Sequence, residues 1–158
     1  MRVVLLSIVV LCVLLTARAA GAHVRAAVLV STADDRALTE RVRGQTSDLD
    51  VDLTTHDARS VAMGFEARMR AADRVARESS ADAVIWFRVT GGSVVVHVAV
   101  PGQDRVLVRS LGGGSGKPAS ATLEAAALVV RDVLRALGQG ATIGELREPP
   151  GAEDEPPA

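Results

Sequence analysis

The chain has 158 residues, of which 48% are hydrophobic, 23% charged and only 2% aromatic, with a formal net charge of −1. One domain with appendages fits that length, whereas an α/β barrel needs roughly 250 residues. The even charge balance argues against a nucleic-acid binder, and one Trp, two Phe and no Tyr leave no platform for stacked bases.

The chain opens with Met1-Arg2, then an apolar run from Val3 to Leu15 broken only by Ser7 and Cys12, then the small residues Ala17 to Ala22 around Arg18. A charged start, a short apolar stretch and an Ala-x-Ala end predict a cleavable export signal over residues 1–22. Cleavage after Ala19 or after Ala22 fits, the second better; an uncut anchor is the alternative. The run is shorter than the ~20 residues of a spanning helix, so no stable membrane span is expected once it is removed. Leu11 before Cys12 does not suit a lipoprotein signal. Cys12 is the single cysteine, so the mature chain would hold by packing alone, without disulfides or thiolate ligands, in the periplasm or outside the cell.

From Val24 onward the pattern alternates strand and helix. Val28-Leu29-Val30 ends a buried strand, and Thr32 with Asp35 has the spacing of a capping box opening a helix through Leu38 and Val42. Val51 to Thr55 alternates as a half-buried strand. Phe65, Met69, Ala72 and Ala76 make the apolar side of a second helix, with Arg68, Arg70, Asp73, Arg74 and Arg77 assigned to its solvated side. Residues 83–89 and 94–100 flank Gly91-Gly92, a two-residue hairpin signal. The implied register sets Val89, Phe87 and Ile85 opposite Val94, Val96 and Val98, and Trp86 opposite His97. Keeping Val106 and Val108 on the face of Val96 and Val98 predicts an odd-numbered loop after Val100. Leu123, Ala127, Val130, Leu134 and Leu137 then form the ladder of the most buried helix, with Gly138 as its left-handed stop.

The sum is an α/β (α+β) two-layer sandwich in the order β-α-β-α-β-β-β-α, with an antiparallel three-strand meander. It occupies residues 23–140. Residues 141–158 read as a disordered tail: five acidic groups stand against one Arg from Glu145 onward, with four of the six prolines.

The stretch Asp73 to Val89, the turn at Gly91-Gly92, the valines 94, 96 and 98, the turn at Gly102 and the Ala-rich helix ending Val133-Leu134-Arg135-Ala136-Leu137 together resemble the small N-terminal α/β domain of the TolB type, shared in outline with CsgG-like envelope proteins. The resemblance spans roughly residues 24–138. It implies a binding or assembly module of the cell envelope without a catalytic centre. The loop after the first strand lacks the proline usual in such domains, and no β-propeller follows, so no binding residue is carried over individually.

Three features bear on chemistry. Gly112-Gly113-Gly114-Ser115-Gly116-Lys117-Pro118 is no phosphate loop, because Leu111 stands where the first Gly is required and Pro118 where the Mg²⁺-binding hydroxyl is required; it reads as a linker. His56-Asp57 has the order of a base and its orienting carboxylate but no nucleophile to serve. His23 would become the N-terminus after cleavage at Ala22, and its amine and ring could chelate copper if His56 or His97 completed the set. The leading expectation is an exported, non-enzymatic module binding an envelope protein, with no catalytic set and no cofactor. The alternative is a copper-binding protein or small enzyme built on His23, His56 and His97.

Overall fold

A computed structural model describes residues 21–147. The export signal (but for its last two residues) and the acidic, proline-rich end lie outside the described residues. Six strands and three α-helices run in the order β1 Val24–Val30, α1 Ala33–Gln45, β2 Val51–Asp57, α2 Phe65–Ser79, β3 Ala83–Thr90, β4 Ser93–Val100, β5 Arg105–Gly112, α3 Ser120–Gly138 and β6 Glu145–Leu146. They build one mixed sheet in the order β2-β1-β3-β4-β5-β6. β1 pairs in parallel with β2 and β3, and the remaining pairs are antiparallel. The α/β sandwich expected from the sequence is present, with its meander.

The helices divide between the two faces of the sheet. Val24, Ala26, Val28, Ile85, Phe87, Val94, Val96 and Val98 form a core with Leu38 and Val42 of α1 and Ala127, Val130 and Leu134 of α3. The alternate residues Ala27, Leu29, Val84, Trp86 and Ala99 face Met69, Ala72, Val75 and Ala76 of α2. This follows from strand geometry, since successive side chains point to opposite faces. α2 thus adds a layer on the second face. A strand buried on both sides needs a near-continuous apolar run, which β3 has from Ala83 to Phe87 and β4 from Val94 to Val100 but for His97.

Local chemistry fixes the element ends. The Thr32 hydroxyl accepts from the Asp35 amide at 3.1 Å, and the Asp35 carboxylate accepts from the Thr32 and Ser31 amides at 3.0 and 2.9 Å. The hairpin register is Val89–Val94, Phe87–Val96, Ile85–Val98 and Trp86–His97. Only Gly91 of the Gly-Gly pair has positive φ (57°), the arrangement of a II′ turn.

Five expectations need correcting. The β4–β5 connection has four residues, with Val100 opposite Arg105, because Pro101–Gln103 form a 3₁₀ turn closed by Asp104 at φ 50°. Val106 and Val108 consequently face α2, and Leu107 and Leu111 take the core side. Arg68, assigned to solvent, is only 3% exposed, where its Nη1 donates to the Ser31 hydroxyl at 2.7 Å. His97, offered as a candidate copper ligand, is buried and stacked on Trp86. Gly138 lies inside α3, where a Cβ would come 3.2 Å from the Ala22 carbonyl; the left-handed residue is Gly140, φ 79°.

The fifth correction moves the tail boundary. Residues 141–147 pack onto the fold. Ile143 joins the core, Glu145–Leu146 pair with Val106 and Arg105, and Arg147 makes a bidentate bond to Asp73 of α2 at 2.9 Å on both arms. The glycine-rich segment also comes back to the sheet, its Gly114 carbonyl accepting from the Gly92 amide at 3.1 Å.

Candidate functional site

The three histidines named from the sequence do not meet. His23 stands just before β1, and its Nδ1 lies 2.8 Å from Asp50 Oδ1 on an exposed surface. His56 pairs with Leu29 near the opposite end of the same strand pair. Five residues of β2 separate His56 from Val51, the partner of Val24, so the two rings are set apart by about 17 Å of strand. His97 lies in the cross-sheet row His56, Leu29, Trp86, His97, three strand spacings or about 14 Å from His56. Among the described residues no three His, Cys, Asp or Glu side chains gather as a metal site would require. The site imagined for copper or for a small enzyme is therefore not assembled by this fold.

His56 and Asp57 do not form a dyad either. The Asp57 carboxylate is held by Arg59, whose Nε donates to both oxygens at 3.0 and 2.9 Å and whose backbone amide donates to Oδ1 at 3.0 Å. That guanidinium pushes the Asp57 carboxyl down to about 2. The His56 ring instead approaches the Thr54 hydroxyl at 3.4 Å.

His97 is part of an aromatic stack. Its ring lies 4.9 Å from the Trp86 centroid, at 7° to it, and Phe65 at the start of α2 leans over both at 5.8 and 6.2 Å. Burial, with the charge of Arg88 nearby, pushes its pKa down to about 4. Its Nδ1 has no hydrogen-bond partner among the described residues. A neutral ring packed on an indole is a structural member of the core, not a proton carrier at a mouth.

Of the groups that do converge, the sequence singled out only His56 and Asp57. A cleft of about 370 Å³ opens at the carboxyl ends of β1 and β2, lined by Val30, Ser31, Thr55, His56, Asp57 and Arg59 and by Arg36, Thr39, Glu40 and Arg43 of α1. Its position follows from topology. The chain leaves β1 into α1 on one face and leaves β2 into α2 on the other, and the cleft lies between these diverging connections.

Helical spacing supplies the far wall. Leu38 and Val42 turn into the core, so Arg36, Glu40 and Arg43 fall on the flank of α1 that overhangs β2. The charges are largely spent on one another: Glu40 pairs with Arg43, and Asp57 with Arg59. Arg36 is exposed and makes no ion pair or hydrogen bond through its side chain among the described residues, though its charge also helps to lower the Asp57 pKa. The cleft can hold one carboxylate or other anionic group against a free guanidinium fork.

No single residue in the sequence announces this arrangement. Two charged segments, 36–43 and 57–59, are brought together only by the parallel pairing of β1 and β2. Among the described residues no helix is long and apolar enough to cross a membrane. Compared with protein-family models, with curated proteins and with solved structures, the chain gives no match.

Proposed function

We propose that the chain is an exported module of the cell envelope, periplasmic or secreted, that binds another protein and catalyses no reaction. The observation carrying this reading is the cleft beside β2: its carboxylates are paired with arginines, its histidine is not joined to an acid, and among the described residues the Arg36 guanidinium makes no pair. Such a set recognises an opposite charge, and His56 lacks the carboxylate that would orient it as a base. The leader-like start Met1 to Ala22 supports export, and the cysteine-free remainder suits an oxidising compartment. The resemblance to TolB-type domains read from the sequence over roughly residues 24–138, strongest over 73–110, is what suggests the envelope setting.

Photo-crosslinking in the producing cells tests this reading. A benzophenone residue is placed at Thr55 in the cleft and, separately, at Val108 on the other edge, and the exported chain is weighed. A mature chain beginning near residue 23 that yields a discrete protein adduct from either position is the expected result. A full-length mass, or no adduct at either position, overturns it.

A further inference from the structure

The cleft and the strand beside it form one continuous surface. β2 is an outer strand of the sheet, and among the described residues one edge of its seven-residue backbone faces no other strand. Long free edges invite pairing, and proteins normally blunt them with proline, lysine or a cover. β2 has no Pro and no Lys, and its charged residues are Asp52 and Asp57, the second paired with Arg59. The other end of the sheet is treated differently, since the chain's own β6 has begun to cover β5.

On the α1 side of β2, Val51 and Leu53 are only partly buried, packed at the margin of the core, and Thr55 is exposed. α1 overhangs that margin with Arg36, Glu40 and Arg43. A groove between a helix and a bare strand edge, with apolar footing at one end and a cationic fork at the other, has the form used by domains that take up an extended peptide as an added strand. Main-chain bonds to β2 would give affinity, and side chains projecting at alternate positions would give selectivity.

We propose that β2 and α1 bind an extended segment of a partner protein as an additional strand, and that this segment carries a carboxylate side chain seated on Arg36. The charges in the cleft decide the sign. Three arginines face two carboxylates, and both carboxylates are already paired, which leaves a net attraction for one negative group. The alternation of β2 decides the spacing. A residue two places from the carboxylate in the incoming strand also faces α1 and lies over Leu53, so it is apolar. This proposal rests on the protein-binding reading above and names its partner's chemistry.

Phage-displayed random octapeptides selected against the full chain, and against its Arg36→Glu variant, provide the test. The expected consensus is proline-free, with Asp or Glu two residues from an aliphatic side chain. A synthetic peptide of that consensus loses about tenfold or more in affinity for Arg36→Glu. In the unaltered chain it slows amide exchange within residues 51–57. Arg36 is exposed on α1, and the variant's own amide exchange without peptide shows whether its fold is intact. The proposal is overturned by failure to enrich any peptide, by a consensus lacking an acid, by equal binding to Arg36→Glu, or by protection falling on residues 107–112. A crosslink from Val108 with none from Thr55 would sink this proposal alone, leaving the protein-binding reading standing.

Discussion

At the scale of single residues, sequence and structure agree where the interaction is local. The Thr32–Asp35 box is legible because both partners lie within one helical turn and the bond needs nothing else. Replacing Thr32 by Ala removes one acceptor from the first turn of α1 and should lower stability by about 1 kcal/mol, read as a shift of the urea midpoint with an unchanged slope. His97 was not legible in the same way. Its place opposite Trp86 follows from the hairpin, but its burial depends on Phe65, remote in sequence, closing over both rings. The consequence is a pH dependence with a definite sign. An unfolded ring takes up its proton below about 6.5, whereas the native ring resists until about 4. Stability present above 6.5 is therefore lost as the pH falls towards 4, by at most about 3 kcal/mol. His97→Phe keeps the stack and removes the orphaned Nδ1. Its urea midpoint should equal or exceed that of the parent at about pH 7.5, and the gap should widen in its favour at about pH 4.5.

At the scale of elements, what could be read depended on whether one face of the strand was wet. The β3–β4 register was legible because a two-residue Gly-Gly loop leaves little freedom and both strands are strongly β-forming. The β4–β5 register was misjudged because valine on β5 does not mark the core side. Near the Pro101 turn both faces of the sheet are covered: Val106 packs against the α2 cluster and Leu107 against the other, so alternation carries no information about which is which. The same covering explains β6. Gly144 has φ 76°, and a Cβ there would stand 2.4 Å from the Val106 carbonyl oxygen, so only glycine lets β6 lie against β5. Gly144→Ala should detach this strand while sparing the rest of the sheet. The Ile143 amide, bonded to Gln103 Oε1, and the Arg147 amide, bonded to the Asp104 carbonyl, should then exchange freely, with a loss of about 1–3 kcal/mol in global stability.

For the whole molecule, the sequence showed one sheet with helices and left open how the two helical faces are tied together. The acidic, proline-rich composition after Glu145 suggested a solvated end, because composition averages over a window and cannot register that Ile143 and Arg147 find partners far away. In the fold, residues 139–147 run from α3 on one face, round the edge of β5, to Asp73 of α2 on the other. They form a strap held by Gln103 Nε2 to the Ala141 carbonyl at 3.1 Å, by Arg105 to the Gly144 carbonyl at 2.6 Å, and by the Arg147–Asp73 pair. Both Arg147 and Asp73 are about three-quarters buried, so this pair is screened less than the surface pairs at Asp57 and Asp132. A chain ending at Arg147 keeps the whole strap and serves as the reference. One ending at Gly140 should lose about 2 kcal/mol, the sum of a part-buried ion pair and a few hydrogen bonds. It should also bare the start of β5 beside Val106, giving two open edges where the parent has β2 and only part of β5. Sedimentation at rising concentration distinguishes the two truncations: self-association confined to the shorter chain is the expected outcome, since an uncovered apolar edge pairs with its own copy. Equal stability and equal sedimentation would mean that the strap merely rests on the fold, and that the two helical faces are joined through the sheet alone.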